Sequence, residues 1–184
     1  MNSQIFPAIK LSLLCLVLFS IIYPLSVWAI AQIAPNKGRG EIVENKGRTI
    51  GFVKVGQSFT ADPYYNSRPS AVSYNASSSG GSNKGNSNPD YLKDVQARID
   101  TFMAHNPSIA KSQIPSELVT ASASGLDPDL TLKGALVQIP RIAKIRNISS
   151  EKLIDLVNKN IQKRFIGTST INILELNVAL DNLK

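Results

Sequence analysis

The chain holds one cysteine, Cys15, and one histidine, His105, so a Cys/His zinc cluster, an internal disulfide and a Cys-His nucleophile pair in its soluble part are excluded. Most thiol and metal enzymes go with them. A Ser-His-Asp arrangement would have to use His105, which sits in Met103-Ala104-His105-Asn106-Pro107 and reads as a helix end running into a proline stop. There the helix dipole favours a solvated, protonated ring rather than a catalytic base. Thr120-Ala121-Ser122-Ala123-Ser124-Gly125 brings serines near a glycine without the Gly-x-Ser-x-Gly elbow, so serine hydrolase chemistry is not expected.

Three other groupings have types suited to ligands. Gly80, Gly81 and Gly85 with Lys84 could cradle an anion on successive backbone N–H groups. The Gly-Lys-Ser/Thr ending of a phosphate loop is missing and no apolar strand precedes it, which argues against direct nucleotide binding. Asp127 and Asp129 flank Pro128 and read equally as a weak cation pair or as loop caps before a helix. Arg141, Lys144 and Arg146 could meet phosphate or lipid headgroups. A solvated helix face is the expected reading, because no aromatic-basic interleaving or nucleic-acid motif accompanies them.

The elements that position these residues fall into two regions. Composition, 43% apolar and 18% charged with a formal charge of +7, suits one folded domain plus an addition. Lys10 is the only charged residue before Lys37, and Leu11 to Asn36 carries none. That stretch is long enough to span a bilayer, with Trp28 placed for the headgroup boundary and Pro24 expected to kink the helix at Ser20. A cleaved signal peptide is the competing reading, since Ala29-Ile30-Ala31 has the form of a cleavage site. A bare positive-inside count places the larger part in the cytoplasm, but that rule weakens for long translocated domains. The expected division is 1–36, tail and span at about 11–34, and 37–184, one soluble domain.

Within that domain a Gly/Lys linker, Pro35 to Arg48, leads to a strand at Thr49–Val55. Ser77 to Asn88 is loop, open or held by its own Ser and Asn hydrogen bonds. Asn88-Pro89 starts a helix carrying Leu92, Val95, Ile99, Phe102 and Met103 on one face, which is expected to be core. A second helix, about Thr131 to Arg146, is expected to bend or split at Pro140, and a third opens at Ser149 or Ser150. Thr170 to Leu174 reads as a strand before a last helix, Glu175 to Leu183. Helices and few strands without βαβ alternation predict an α+β fold.

Taken in order, these segments resemble a known family over nearly the whole chain. The span around Tyr23-Pro24-Leu25 is followed by Asn66-Ser67-Arg68-Pro69-Ser70-Ala71, Tyr74-Asn75-Ala76, Ser79-Gly80-Gly81-Ser82-Asn83 and Ser87-Asn88-Pro89. Thr120-Ala121-Ser122, Ser124-Gly125-Leu126-Asp127-Pro128, Gln138-Ile139-Pro140-Arg141 and Asn172-Ile173-Leu174-Glu175-Leu176-Asn177 complete the series. The pattern is similar to the KdpC family, the single-span subunits of bacterial Kdp potassium-transporting P-type ATPases. Lys84, Asn86, Ala123, Asp129 and Leu132 depart from the family's usual residues.

The resemblance implies a non-catalytic accessory subunit that promotes assembly and, as a catalytic chaperone, raises the ATP affinity of the ATPase subunit. Its implied partners are a KdpA-like potassium-binding subunit, a KdpB-like ATPase subunit, a KdpF-like small subunit and the lipid bilayer, with no nucleic acid. No tightly bound cofactor is implied; ATP enters only in the assembled complex. The implied location is the bacterial inner membrane, N-terminus inside and domain extracytoplasmic. The residues it marks as partner contacts are Arg68, Pro69, Ser70, Gly80, Gly81, Ser82, Asn83, Asn88, Ser124, Gly125, Asp127, Pro128, Gln138, Arg141, Glu175 and Asn177. An exported soluble binding module, or direct nucleotide binding by the glycine loop, is the alternative.

Overall fold

A computed structural model describes residues 4–183 and divides into two compact units, Met1–Glu41 and Ile42–Lys184. In the first, α1 (Ile5–Val17) and α2 (Tyr23–Ala31) join through a π-helical turn at Leu18–Ile22. Together they form one helix, Ile5–Ala31, of 27 residues with none buried. At 1.5 Å per residue it measures about 40 Å, more than the ~30 Å of a hydrocarbon core. Pro24 cannot donate to Ser20, and the turn ahead of it widens: the Tyr23 N–H reaches the Leu18 carbonyl. The anticipated proline distortion thus takes the form of a π turn.

The second unit opens with a hairpin, β1 (Ile42–Asn45) and β2 (Arg48–Phe52), paired antiparallel. Lys46 and Gly47 turn it with φ of 51° and 75°, the left-handed pair that suits a two-residue hairpin loop. The hairpin therefore begins inside the stretch expected to be a linker. Val43 and Val53 pack on Leu174, with Phe59 and Val178 beside them.

The helix α3 (Pro89–His105) starts as expected: the Asn88 side chain accepts from the N–H groups of Asp90 and Tyr91. None of its residues is buried, Asn106 lying just beyond, and the stripe expected to be core is not: Leu92 and Met103 are exposed, Val95 and Ile99 are half-buried, and of these five Phe102 alone packs against the core cluster. The expected second helix is split into α4 (Leu132–Leu136) and α5 (Ile139–Arg146), with Pro140 in the first turn of α5, where a missing N–H does no harm. Ser149 caps α6 (Ser150–Lys159), accepting from the Lys152 N–H.

A small sheet orders β3-β5-β4, both pairings antiparallel, from β3 (Asp129–Thr131), β4 (Ile161–Gln162) and β5 (Thr170–Asn172). The chain passes from β5 directly into α7 (Ile173–Asp181), whose first turn is capped by Asn172, so the final helix begins earlier than Glu175. The core lies between this sheet and α4 to α7: Leu130, Ile142, Leu153, Val157, Ile171, Leu176 and Leu180 are fully enclosed, with Tyr65 from a loop. Helices flanking small antiparallel sheets make the α+β class expected.

Candidate functional site

Two clamps hold the irregular stretch from Asp62 to Tyr74. The first is built from Gln138, Arg141 and Asn177, all enclosed although polar. Gln138 precedes α5 and faces inward. Its Oε1 accepts from Asn66 N–H at 2.7 Å, and its Nε2 donates to the carbonyls of Gly134 at 2.9 Å and Asn66 at 3.3 Å. Arg141, one turn later, donates from Nε to Asn106 Oδ1 at 3.1 Å and from Nη2 to Tyr64 O at 3.1 Å and Gln138 Oε1 at 2.9 Å. Its Nη1 meets the Asp62 carbonyl. Asn177, on α7, accepts from Tyr65 N–H at 2.9 Å and returns a bond to Tyr65 O at 3.0 Å. One side-chain amide thereby replaces a strand partner for a buried residue, which satisfies main-chain groups that have no water to turn to.

Arg141 is the main correction to the solvated-face reading. Only 6% of it is exposed, and burial lowers its pKa, with Asp62 and then Tyr65 opposing. A guanidinium remains charged through such a shift. Burial likewise raises the Tyr65 phenol, against the pull of Arg141. The Tyr65 hydroxyl has no hydrogen-bond partner among the described residues. Arg146 is engaged too: it stacks over the Tyr64 ring at 4.6 Å, bonds Pro63 O at 2.7 Å and pairs with Asp181 at 2.8 Å. Lys144 stays exposed.

The second clamp ties the Arg68–Tyr74 segment to the Ser122–Asp127 segment. Arg68 pairs with Asp127 at 2.5 Å, both less than a third exposed. Asp127 also accepts from Asp129 N–H through its other oxygen at 3.1 Å. Ser70 Oγ donates to Gly125 O at 2.7 Å while accepting from the N–H groups of Tyr74 at 3.0 Å and Val72 at 3.2 Å. Pro69 offers its carbonyl to Ser122 N–H, and the Tyr74 hydroxyl closes on Arg68 O. Burial is the main reason the Tyr74 phenol titrates above its ordinary range, with Ser67 and Arg68 opposing. Gly125 sits at φ +67°, and a Cβ there would come within 2.5 Å of Val72 Cγ2 and 2.9 Å of Gly80 O. Glycine is required on both grounds.

The glycine loop is ordered by the same segment. Gly80 N–H and the Ser79 hydroxyl both donate to Ser124 O, at 2.9 and 3.0 Å, and Gly81 lies close against Ala123. Gly80 N–H is thus already engaged, which leaves less of a cradle for an anion. Ser82 and Asn83 remain exposed, Asn83 at φ +54°, and Lys84 pairs with Asp94 at 3.0 Å.

The remaining marked residues stand apart. Asn88 caps α3. Pro128 accepts from Ile173 N–H at 2.9 Å, and Glu175 accepts from Gln162 at 3.2 Å. Asp129 binds Arg164 at 3.1 Å and the Thr170 hydroxyl at 3.2 Å, while Thr131 caps α4. Neither aspartate therefore caps that helix. His105, half exposed, pairs through Nδ1 with Asp62 at 2.6 Å. Sequence reasoning missed Asp62, Tyr65 and Asn106 as members of the first clamp. Asn106 read only as a helix stop, and nothing local distinguishes it from one.

An open cavity of about 500 Å³ lies between α3 and the Asn66–Tyr74 segment. Among the described residues no group of three or more His, Cys, Asp or Glu is placed to hold a metal ion. The fold and site define a small α+β domain, joined to one long apolar helix, in which Gln138, Arg141, Asn177, Arg68 and Ser70 brace loops. Comparison with known proteins is specific. The family model described as "KdpC: K+-transporting ATPase, c chain" matches residues 5–182, and the chain belongs to the KdpC family. It is 54% identical over 182 residues to a potassium-transporting ATPase KdpC subunit of Flavobacterium psychrophilum, covering 98% of this chain and 99% of that one. The subunit of the same name from Flavobacterium johnsoniae is 50% identical over 181 residues, at 98% and 99% coverage. That of Caldanaerobacter subterraneus is 38% identical over 184 residues, at 98% and 95% coverage.

Proposed function

We infer that this chain is the accessory subunit of an ATP-driven potassium uptake complex, anchored by Ile5–Ala31 and working through contact rather than catalysis. Its partners on this reading are a KdpA-like potassium-binding subunit, a KdpB-like ATPase subunit and a KdpF-like small subunit. The observation that carries it is the pair of clamps. Gln138, Arg141, Asn177 and Ser70 bond backbone groups and Arg68 bonds Asp127, which supports reading the loops they brace as a fixed docking surface.

The domain lies outside the cytoplasm on this reading, and the N-terminus inside. It then cannot touch cytoplasmic ATP. A chaperone effect on nucleotide affinity must be a coupling free energy between two states of the pump, typically about 1–3 kcal/mol or roughly 5- to 150-fold in affinity. Removing residues 42–184 while keeping the helix should abolish high-affinity potassium uptake and lower the ATP affinity of the complex by a factor in that range. Unchanged uptake and assembly would overturn the reading. Protease added outside intact spheroplasts should cleave the domain; protection would place it in the cytoplasm and restore direct ATP contact as the explanation.

A further inference from the structure

The cavity beside α3 sets a helical face that the transport reading does not use against the braced Asn66–Tyr74 segment. One wall is a single helical face, Arg98, Thr101, Phe102 and His105, at the i, i+3, i+4 and i+7 spacing that aligns side chains. The opposite wall is the braced segment around Ser73 and Tyr74, and Phe59 and Leu118 add apolar surface. At about 500 Å³ it falls in the range of small-molecule sites, which are largely apolar with a few placed polar groups.

Charge decides the class of occupant. Among the described residues of the lining, Arg68 and Arg98 carry fixed positive charge, His105 adds a ring that is charged only when protonated, and there is no carboxylate. Arg68 is matched by Asp127 and His105 by Asp62. Arg98 has no acidic partner among the described residues; its Nη1 donates to the Val119 carbonyl at 3.2 Å, and the rest of its donor fork is unengaged. A half-buried guanidinium with free donors fits a carboxylate in a two-pronged pair. The Ser73 hydroxyl, which bonds no described residue, supplies a neutral donor nearby. One uncompensated cation matches one negative charge, and the apolar walls match a compact ring or branched chain. A nucleoside triphosphate carries far more charge than this lining balances.

We propose that the cavity between α3 and the Asn66–Tyr74 segment binds a small organic monocarboxylate, with Arg98 taking the carboxylate and Phe59, Phe102 and Leu118 the apolar body. Occupancy would bridge α3 to the braced loops. Because the site does not depend on assembly with a pump, its failure leaves the transport reading standing.

The test titrates benzoate, its neutral isostere benzamide, and ATP into the full-length protein in a zwitterionic detergent, with nuclear magnetic resonance of the Arg98 Nε–H and the His105 ring. Benzoate should shift both signals saturably and benzamide should not. Arg98→Gln should weaken benzoate binding, read at His105, at least about tenfold, and Arg98→Lys should restore part of it. Three outcomes would overturn the site: no saturable benzoate shift, equal affinity for benzamide, or equal benzoate affinity in Arg98→Gln. ATP binding there without benzoate would also overturn it, and would favour a polyphosphate ligand. Should Arg98→Gln fail to fold, the comparison rests on Arg98→Lys, which keeps the charge but loses the fork. Undiminished binding in that variant would then rule out the two-pronged pair.

Discussion

Replacing Asn177 by Asp converts the buried clamp on Tyr65 into a pH-sensitive one. The native amide accepts from Tyr65 N–H at 2.9 Å and donates to Tyr65 O at 3.0 Å, and the residue is 2% exposed. A protonated aspartic acid has the same shape and can make both bonds. An ionised one keeps the first, but turns an anion toward the Tyr65 carbonyl in a site without water. The folded state therefore favours the protonated form, and the pKa rises above the unfolded value of about 3.9. The sign follows: the variant is close to wild type below about pH 4 and loses stability as pH rises toward the folded pKa. The slope is about 1.4 kcal/mol per pH unit, so a folded pKa near 7 gives a loss of about 4 kcal/mol at neutral pH. Urea midpoints of the full chain in mild detergent, measured for wild type and variant from pH 4 to 8, give the difference directly. Asn177→Ala is the reference; it leaves two buried backbone groups unpaired and should cost about 2–6 kcal/mol at every pH. A difference between Asn177→Asp and wild type that stays flat across that range would refute the clamp.

Other consequences follow from the same geometry. Gly125→Ala meets both the +67° φ and the close contact with Val72, so it should cost more than about 2 kcal/mol, whereas Gly47→Ala, at φ +75° with nothing within 4 Å, should cost only about 1; equal losses in thermal unfolding would contradict the contact argument. For Arg68 and Asp127, each under a third exposed, a double-mutant cycle with Arg68→Met and Asp127→Asn should return a coupling of about 1–2 kcal/mol, and a coupling near zero would show that the ion pair does not brace the segment. Phe165 and Ile166 are almost wholly exposed between β4 and β5. Serine at both should leave the free energy of unfolding within about 0.5 kcal/mol of wild type, while a larger drop would mean that the pair is packed.

Much of the fold was legible because its signals are local. The apolar run of the first helix, the Asn88-Pro89 start, the Ser149 cap and the heptad-like stripes of α3 and α6 depend on residues within a turn or two of each other. The family resemblance was legible for a related reason: it rests on the order and spacing of short segments. What stayed hidden was short or distant. β3 and β4 have three and two residues, too few to show an alternation, and they exist because β5 supplies their hydrogen-bond partners. β1 lay in a stretch that reads as linker until β2 folds back on it.

Arg141 shows the division most clearly. Its neighbours Ile139 and Ile142 are buried on a short helix rich in charge, and by period alone an arginine beside them reads as solvated. It is enclosed because the Asp62–Asn66 segment, far away in sequence, crosses over it and presents carbonyl oxygens. Whether a polar side chain becomes a clamp or a surface charge thus depends on which backbone groups the tertiary fold leaves without partners. The amino-acid order alone determined the long apolar helix, the capped helices and the membership in a family; the burial of Gln138, Arg141 and Asn177 and the opening beside Arg98 were decided only when distant segments met.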